Sequence, residues 1–177
     1  MTLRSLHLLG SPLLRERSSE VGTVTEETRR IVDDLYETMD AAKGVGLAAN
    51  QVGVTTRIAV VDADGHRFTM INPVIVEEDG QDTAEEGCLS IPDLYADVTR
   101  STRVTLEALD RDGQPFRLEA EGLKSRVIQH EIDHLDGILF VDRLSPLKRK
   151  LLTTRWRKSR KGTGHIEEVQ AASDTKA

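Results

Sequence analysis

The stretch Gln129-His130-Glu131-Ile132-Asp133-His134 holds residue types that can do chemistry, at a spacing that lets them act together. On a helix, positions i and i+4 share one face, so both imidazoles can reach a single metal ion. Glu131 projects about 100° away from His130, within reach of a water at the ion but outside the ligand set. Two histidines leave a catalytic site one ligand short, because such sites usually take three protein groups and keep a position open. An extended peptidase motif would supply a third His six residues on. Gly137 fits that motif, but Phe140 occupies the position of the His, and the next Glu is Glu167, far down the chain. Cys88 remains, the only thiol in the chain. It sits in Glu85-Glu86-Gly87-Cys88-Leu89-Ser90, a polar segment between strands where a turn can present a thiolate. Cys88, His130 and His134 would make an N₂S site with an open fourth position, suited to Fe²⁺, Zn²⁺, Ni²⁺ or Co²⁺.

Elements must position these groups. Thr23 and Glu26 form a capping-box pattern, with Thr25 as a rival cap, ahead of Ile31, Val32, Leu35 and Met39 at helical spacing. Lys43-Gly44 supplies the stop, so a helix is expected over about 25–42. Three glycines within Gly44–Gly53 argue for a loop whose backbone approaches something closely. Strands follow at Arg57–Val61 and Arg67–Ile71 around an Asp64-Gly65 turn, and at Val74–Val76. Two more alternate through Val104, Leu106, Ala108 and Phe116, Leu118, Ala120 around Asp110–Gly113. A second helix covers about 122–136, with Leu123, Val127, Ile128 and Leu135 available for the core. Ser145-Pro146 opens a third, with Leu147, Leu151 and Leu152 on one side and basic residues on the other. The fold class is α+β: mostly antiparallel strands around a central metal-binding helix, with an N-terminal helix and a C-terminal basic helix. One catalytic domain is expected over 1–160, with a mobile tail over 161–177.

A chain of 177 residues with one Cys has no disulfide framework and fits a reducing, cytoplasmic setting. Six aromatic residues are too few for a base-stacking platform. No run approaches the ~20 apolar residues that span a bilayer, and no membrane or specific DNA partner is expected. Charge is uneven: from Arg143 to Gly162 there are nine Lys/Arg and no acid, leaving −15 on the rest. A basic stretch on an acidic body suits a polyanionic partner; a solvated helix face is the plainer reading.

Gly44-Val-Gly-Leu-Ala-Ala-Asn-Gln51, Glu86-Gly-Cys-Leu-Ser90 and Gln129-His-Glu-Ile-Asp-His134 stand here in order. With Pro12-Leu-Leu-Arg15 and Gly137-Ile-Leu-Phe140 they make the chain resemble the peptide deformylases over residues 8 to about 150. The resemblance implies removal of the formyl group from the initiator formyl-Met of nascent chains. It implies Cys88, His130 and His134 as metal ligands, generally to Fe²⁺, and Glu131 as general acid/base. Gln51 and the Leu89 N–H would stabilise the oxyanion, and the backbone of Val45 and Gly46 would pair with the peptide. Glu86 would lie near the substrate pocket. The basic helix, Arg143–Lys161, resembles one by which some deformylases dock on the ribosome. The pattern departs at Asp93, where many members have Gly, and at Leu94-Tyr95, where a basic residue is common near the substrate-binding rim.

Two other functions compete. A metallopeptidase would share the Glu131 chemistry but lacks its third His. A non-enzymatic zinc domain binding RNA through Arg143–Lys161 would need no base at Glu131.

Overall fold

The computed structural model describes residues 2–171. Strand β1 (Leu6–His7) leads through a 3-10 turn at Pro12–Arg15 to helix α1 (Glu26–Ala41). Thr25 rather than Thr23 caps α1, exchanging bonds with Thr28. That choice sets Glu26 and Glu27 in the first turn, against the positive end of the helix. At the far end Lys43, not Gly44, takes the left-handed conformation (φ 57°). A Cβ at Gly44 would stand 2.7 Å from Leu89 Cδ1, so Leu89 would have to shift to admit one.

Then come β2 (Gly46–Ala48), β3 (Ile58–Ala63), β4 (His66–Asp79), β5 (Asp82–Cys88), β6 (Ile91–Arg100), β7 (Arg103–Leu109) and β8 (Pro115–Glu121). Helices α2 (Gly122–Leu135) and α3 (Pro146–Ser159) follow, and β9 (Ile166–Glu167) closes the described chain. A five-stranded antiparallel sheet has the order β2-β3-β4-β7-β8, while β5-β6 and β1-β9 form two-stranded sheets. Among the described residues no helix is long and apolar enough to cross a membrane.

Strand periodicity builds two cores. Ile58 and Val60 join Val32, Leu35 and Met39 of α1 on one face. Ala59, Val61 and Ala63 join Val127, Ile128 and Leu135 of α2 on the other. Buried on both faces, β3 reads as a nearly unbroken apolar run. The alanines at 48, 59, 63, 108 and 120 on the α2 side are short, so the metal-motif helix lies close to the sheet.

Three expectations need correction. β4 runs unbroken past Pro73, because Asn72 (φ 50°) bulges and its amide pairs with the Val21 backbone while the register shifts. The Glu85–Cys88 segment is strand, not loop, and Leu89-Ser90 is the hairpin tip between β5 and β6. Leu147 and Leu151 are 69% and 60% exposed, and Leu123 is exposed too. Thr153 and Trp156, on another stripe of α3, are the residues it buries. Of the tail expected over 161–177, residues through 171 are described. β9 pairs with β1, and the Leu8 amide donates to the His165 carbonyl at 2.7 Å. Backbone pairing holds it, which hydrophobic periodicity could not signal; residues 172–177 lie outside the described ones.

Candidate metal centre

Helix α2 carries the motif and ends just after it. The Gly137 amide donates to the His134 carbonyl and the Ile138 amide to the Asp133 carbonyl, a Schellman ending. Gly137 has φ 76°, and a Cβ there would meet the Arg15 carbonyl oxygen at 2.5 Å. Its role is to stop the helix. Phe140, where a peptidase would place a ligand, is buried with its ring 6.2 Å from that of His130.

The β5-β6 hairpin brings Cys88 to α2. Cys88 Sγ lies 3.3 Å from His134 Nε2, which lies 3.1 Å from His130 Nε2, and the three ligand atoms fall within 4.8 Å of one another. The Nδ1 of His130 meets Glu86 Oε1 at 2.9 Å, so the ring donates there and its Nε2 faces the cluster, where loss of the proton would leave a lone pair for an ion. Ser90's amide and Gln51 Nε2 face the sulfur at 3.4 and 3.7 Å. A thiolate with two imidazole lone pairs, converging in so small a space, is a donor set that a divalent ion fits. Burial lowers the His130 pKa, but Cys88 and Glu86 raise it further, leaving it well above the ordinary value. Burial, then the charge of His130, holds His134 well below it.

Glu86 does not face the cavity as a free carboxylate. Arg100 grips both its oxygens at 2.8 and 2.9 Å, and Arg126 adds a contact at 2.7 Å. Burial opposes its ionisation, but Arg100 and His130 outweigh that and hold it far below the usual carboxylate range. Its oxygens are taken up by Arg100, Arg126 and His130, while the residue lines the cavity. Arg100 also bonds Asp133 Oδ2, and Arg143 bonds Asp133 Oδ1. The sequence reading missed Arg100, Arg126 and Asp133. A signal existed: metal-bound His usually donates its other N–H to a carboxylate, and a buried carboxylate needs cations.

Glu131 is 3% exposed, and its Oε2 is buried without a partner among the described residues. Burial pushes its carboxyl up to about 7, against the opposing pull of His130. Gly46 faces it so closely that a Cβ would stand 2.5 Å from Glu131 Oε1, the close backbone approach expected of the glycine segment. Gln51 accepts from the Ala48 amide through Oε1 (2.9 Å) and donates from Nε2 to Ser90 Oγ (3.0 Å), with the same Nε2 facing Cys88. One side chain therefore ties down the glycine segment and aims an amide donor at the centre.

These groups sit in a cavity of about 650 Å³ lined also by Val45, Leu89 and Leu123. β2 is an edge strand of the five-stranded sheet, and Val45 and Gly46 line the cavity beside it.

Against known proteins, the family described as Polypeptide deformylase matches residues 3–150. A "Peptide deformylase" of Alkalilimnicola ehrlichii is 48% identical over 89% of this chain and 91% of its own length. The crystal structure of a peptide deformylase from Legionella pneumophila superposes with TM-score 0.86 at 42% identity, covering 90% of this chain and 96% of that one. That of Ehrlichia chaffeensis peptide deformylase in complex with actinonin gives TM-score 0.86 at 36% identity, with 91% and 99% covered.

Proposed function

The chain belongs to the polypeptide deformylase family, and from that premise we propose how its residues take the formyl group from the initiator formyl-methionine of a nascent polypeptide. Cys88, His130 and His134 would hold one divalent ion, Fe²⁺ in the cell with Zn²⁺, Ni²⁺ or Co²⁺ as substitutes. When bound, that ion supplies Lewis acidity, easing loss of a proton from water and polarising the formyl carbonyl. Glu131 accepts the proton as the water oxygen attacks the formyl carbon, then delivers it to the departing amine. Formate and a free N-terminus result. Gln51 Nε2 and the Leu89 N–H donate to the oxygen on which charge builds. The backbone at Val45 and Gly46, where edge strand β2 begins, receives the peptide as an added strand.

The observation that carries this reading is the convergence of one sulfur and two imidazole nitrogens beside a buried carboxyl whose Oε2 has no partner among the described residues. The test is formate release from a formyl-Met tripeptide by protein purified without oxygen, alongside Gln51→Ala. The variant is expected to keep its metal and to lose about 10²-fold in kcat, the cost of one oxyanion donor. No formate from protein holding one equivalent of metal would overturn the reading.

We also propose that α3 docks on the ribosome, which sets the reaction in the cytoplasm where nascent chains emerge. Its support is charge and exposure. Leu147 and Leu151 stand out among Lys148, Lys150 and Arg155. Reversing Lys148, Lys150 and Lys158 to Glu is expected to weaken cosedimentation with ribosomes. The natural protein's binding should also fall steeply between about 50 and 200 mM salt. Binding unchanged by either would refute the docking.

A further inference from the structure

Asn50 stands beside Gln51 and takes no part in metal binding or proton transfer. It is fully buried, and its Nδ2 donates to the His134 carbonyl at 2.6 Å. Its Oδ1 is buried without a partner among the described residues. An unmatched buried oxygen of that kind costs stability. An apolar side chain of similar size would avoid the cost, so the amide needs a reason other than stability.

Local geometry supplies one. Ala49–Val52 is a 3-10 turn, closed by the Gly53 amide on the Asn50 carbonyl and ended by Gly53 at φ 85°. With three residues per turn, neighbouring side chains project about 120° apart. Asn50 and Gln51 therefore reach two different elements. Gln51 spans to the β5-β6 hairpin, at Ser90 Oγ and Cys88 Sγ. Asn50 spans to the last turn of α2, where His134 stands. Those two elements deliver the metal ligands. Among the described residues, the Asn50 bond is the one hydrogen bond from this turn to α2.

The helix end itself does not depend on Asn50. The His134 carbonyl also accepts from the Gly137 amide at 3.0 Å, and the Leu135 carbonyl accepts from the Ser18 amide and Arg57. Without the Asn50 amide, α2 keeps these ties, while the turn that carries Gln51 loses its own.

We infer that Asn50 is a positioning residue, which fixes the Gln51 donor relative to the ligand-bearing end of α2. The inference rests on the deformylase reading, in which Gln51 Nε2 donates to the oxygen that gathers charge. It gives a task to a side chain that the reading leaves without one. A shift of about 1 Å in such a group is enough to cost up to about 10²-fold in rate.

The test is a double-variant cycle on metal-loaded protein, read in kcat for formate release from a formyl-Met tripeptide. Asn50→Leu is expected to lose about 10- to 30-fold in kcat, with KM within about twofold. In Gln51→Ala protein, which has no donor left to misplace, the same substitution should cost less than about twofold. Metal affinity, measured by competition with a chelator, should stay within about threefold, because Asn50 bonds the backbone of His134 and not its ring. The urea midpoint of metal-free Asn50→Leu should not fall. Asn50→Ala, which removes the amide without adding bulk, should repeat the pattern in kcat. Equal losses in both backgrounds, a kcat loss that tracks the urea midpoint across the two variants, or lost metal would each show Asn50 to be structural and overturn the inference. Failure of both variants to fold would do the same. Natural protein that holds metal and releases no formate would overturn the deformylase reading and this one with it. With natural turnover brisk, the cycle tests this inference alone.

Discussion

Glu131→Gln is expected to release formate from a formyl-Met tripeptide on the order of 10²–10⁴-fold more slowly than the natural protein, with its metal content unchanged. The geometry separates the two readouts. Glu131 lies outside the cluster of Cys88, His130 and His134, so an amide in its place removes no ligand. It does remove the group proposed to take and return the proton. A carboxyl held near 7 suits that task, because it can both accept and release a proton close to neutrality. Loss of metal together with activity would show Glu131 to be structural, and turnover within tenfold of the natural protein would remove it from the mechanism.

The same burial makes a second readout available from the metal-free protein. The folded carboxyl titrates at about 7, above its value in the unfolded chain, near 4.5. The folded state therefore holds its proton longer, and stability falls as pH rises through that window. Gln carries no such charge. Unfolding midpoints of metal-free Glu131→Gln and natural protein should diverge between pH 5 and 8, by up to about 3 kcal/mol in favour of the variant. A difference that stays constant with pH would show that Glu131 is solvated when ionised.

Chemistry was more legible in the sequence than architecture. His130 and His134 declare themselves because helical spacing alone puts them together, and the α2 and β7-β8 assignments follow from periodicity and turn residues. Cys88 was found by elimination, since one thiol was left to fill a vacant ligand position. The hairpin that delivers it was not found. Asp82–Cys88 is mostly polar, without apolar alternation, because its ladder to β6 and ion pairs to α2 rather than a broad hydrophobic face hold it in place. Long-range charge pairing leaves no local trace. The same holds for β9, a two-residue strand with Ile166 exposed, and for the exposure of Leu123, which helical spacing made available for the core.

Arg100→Met is expected to destabilise the protein by about 3–5 kcal/mol, because it removes one partner from a buried charge network and leaves the others behind. The Arg100 side chain is 3% exposed and holds both oxygens of Glu86 and one of Asp133. Without it, Glu86 keeps only Arg126 and His130, and Asp133 keeps Arg143. The loss should also reach the metal. Glu86 orients His130, and loosening such a partner typically costs 10–100-fold in metal affinity. Adding Glu86→Gln to Arg100→Met removes the stranded charge while leaving an oxygen to accept from His130 Nδ1. The double variant should then unfold later in urea than two independent losses would allow. That non-additivity separates a charge network from simple packing, since a cavity left by Arg100 would not be filled by a change at Glu86. Additive losses would show that Arg100 acts through its hydrocarbon stem. A loss below about 1 kcal/mol, the range of a surface ion pair, would show that water reaches these groups. Coupled losses in stability and metal affinity would make the hairpin clamp a condition for the metal centre, linking the polar β5-β6 segment to the reaction it serves.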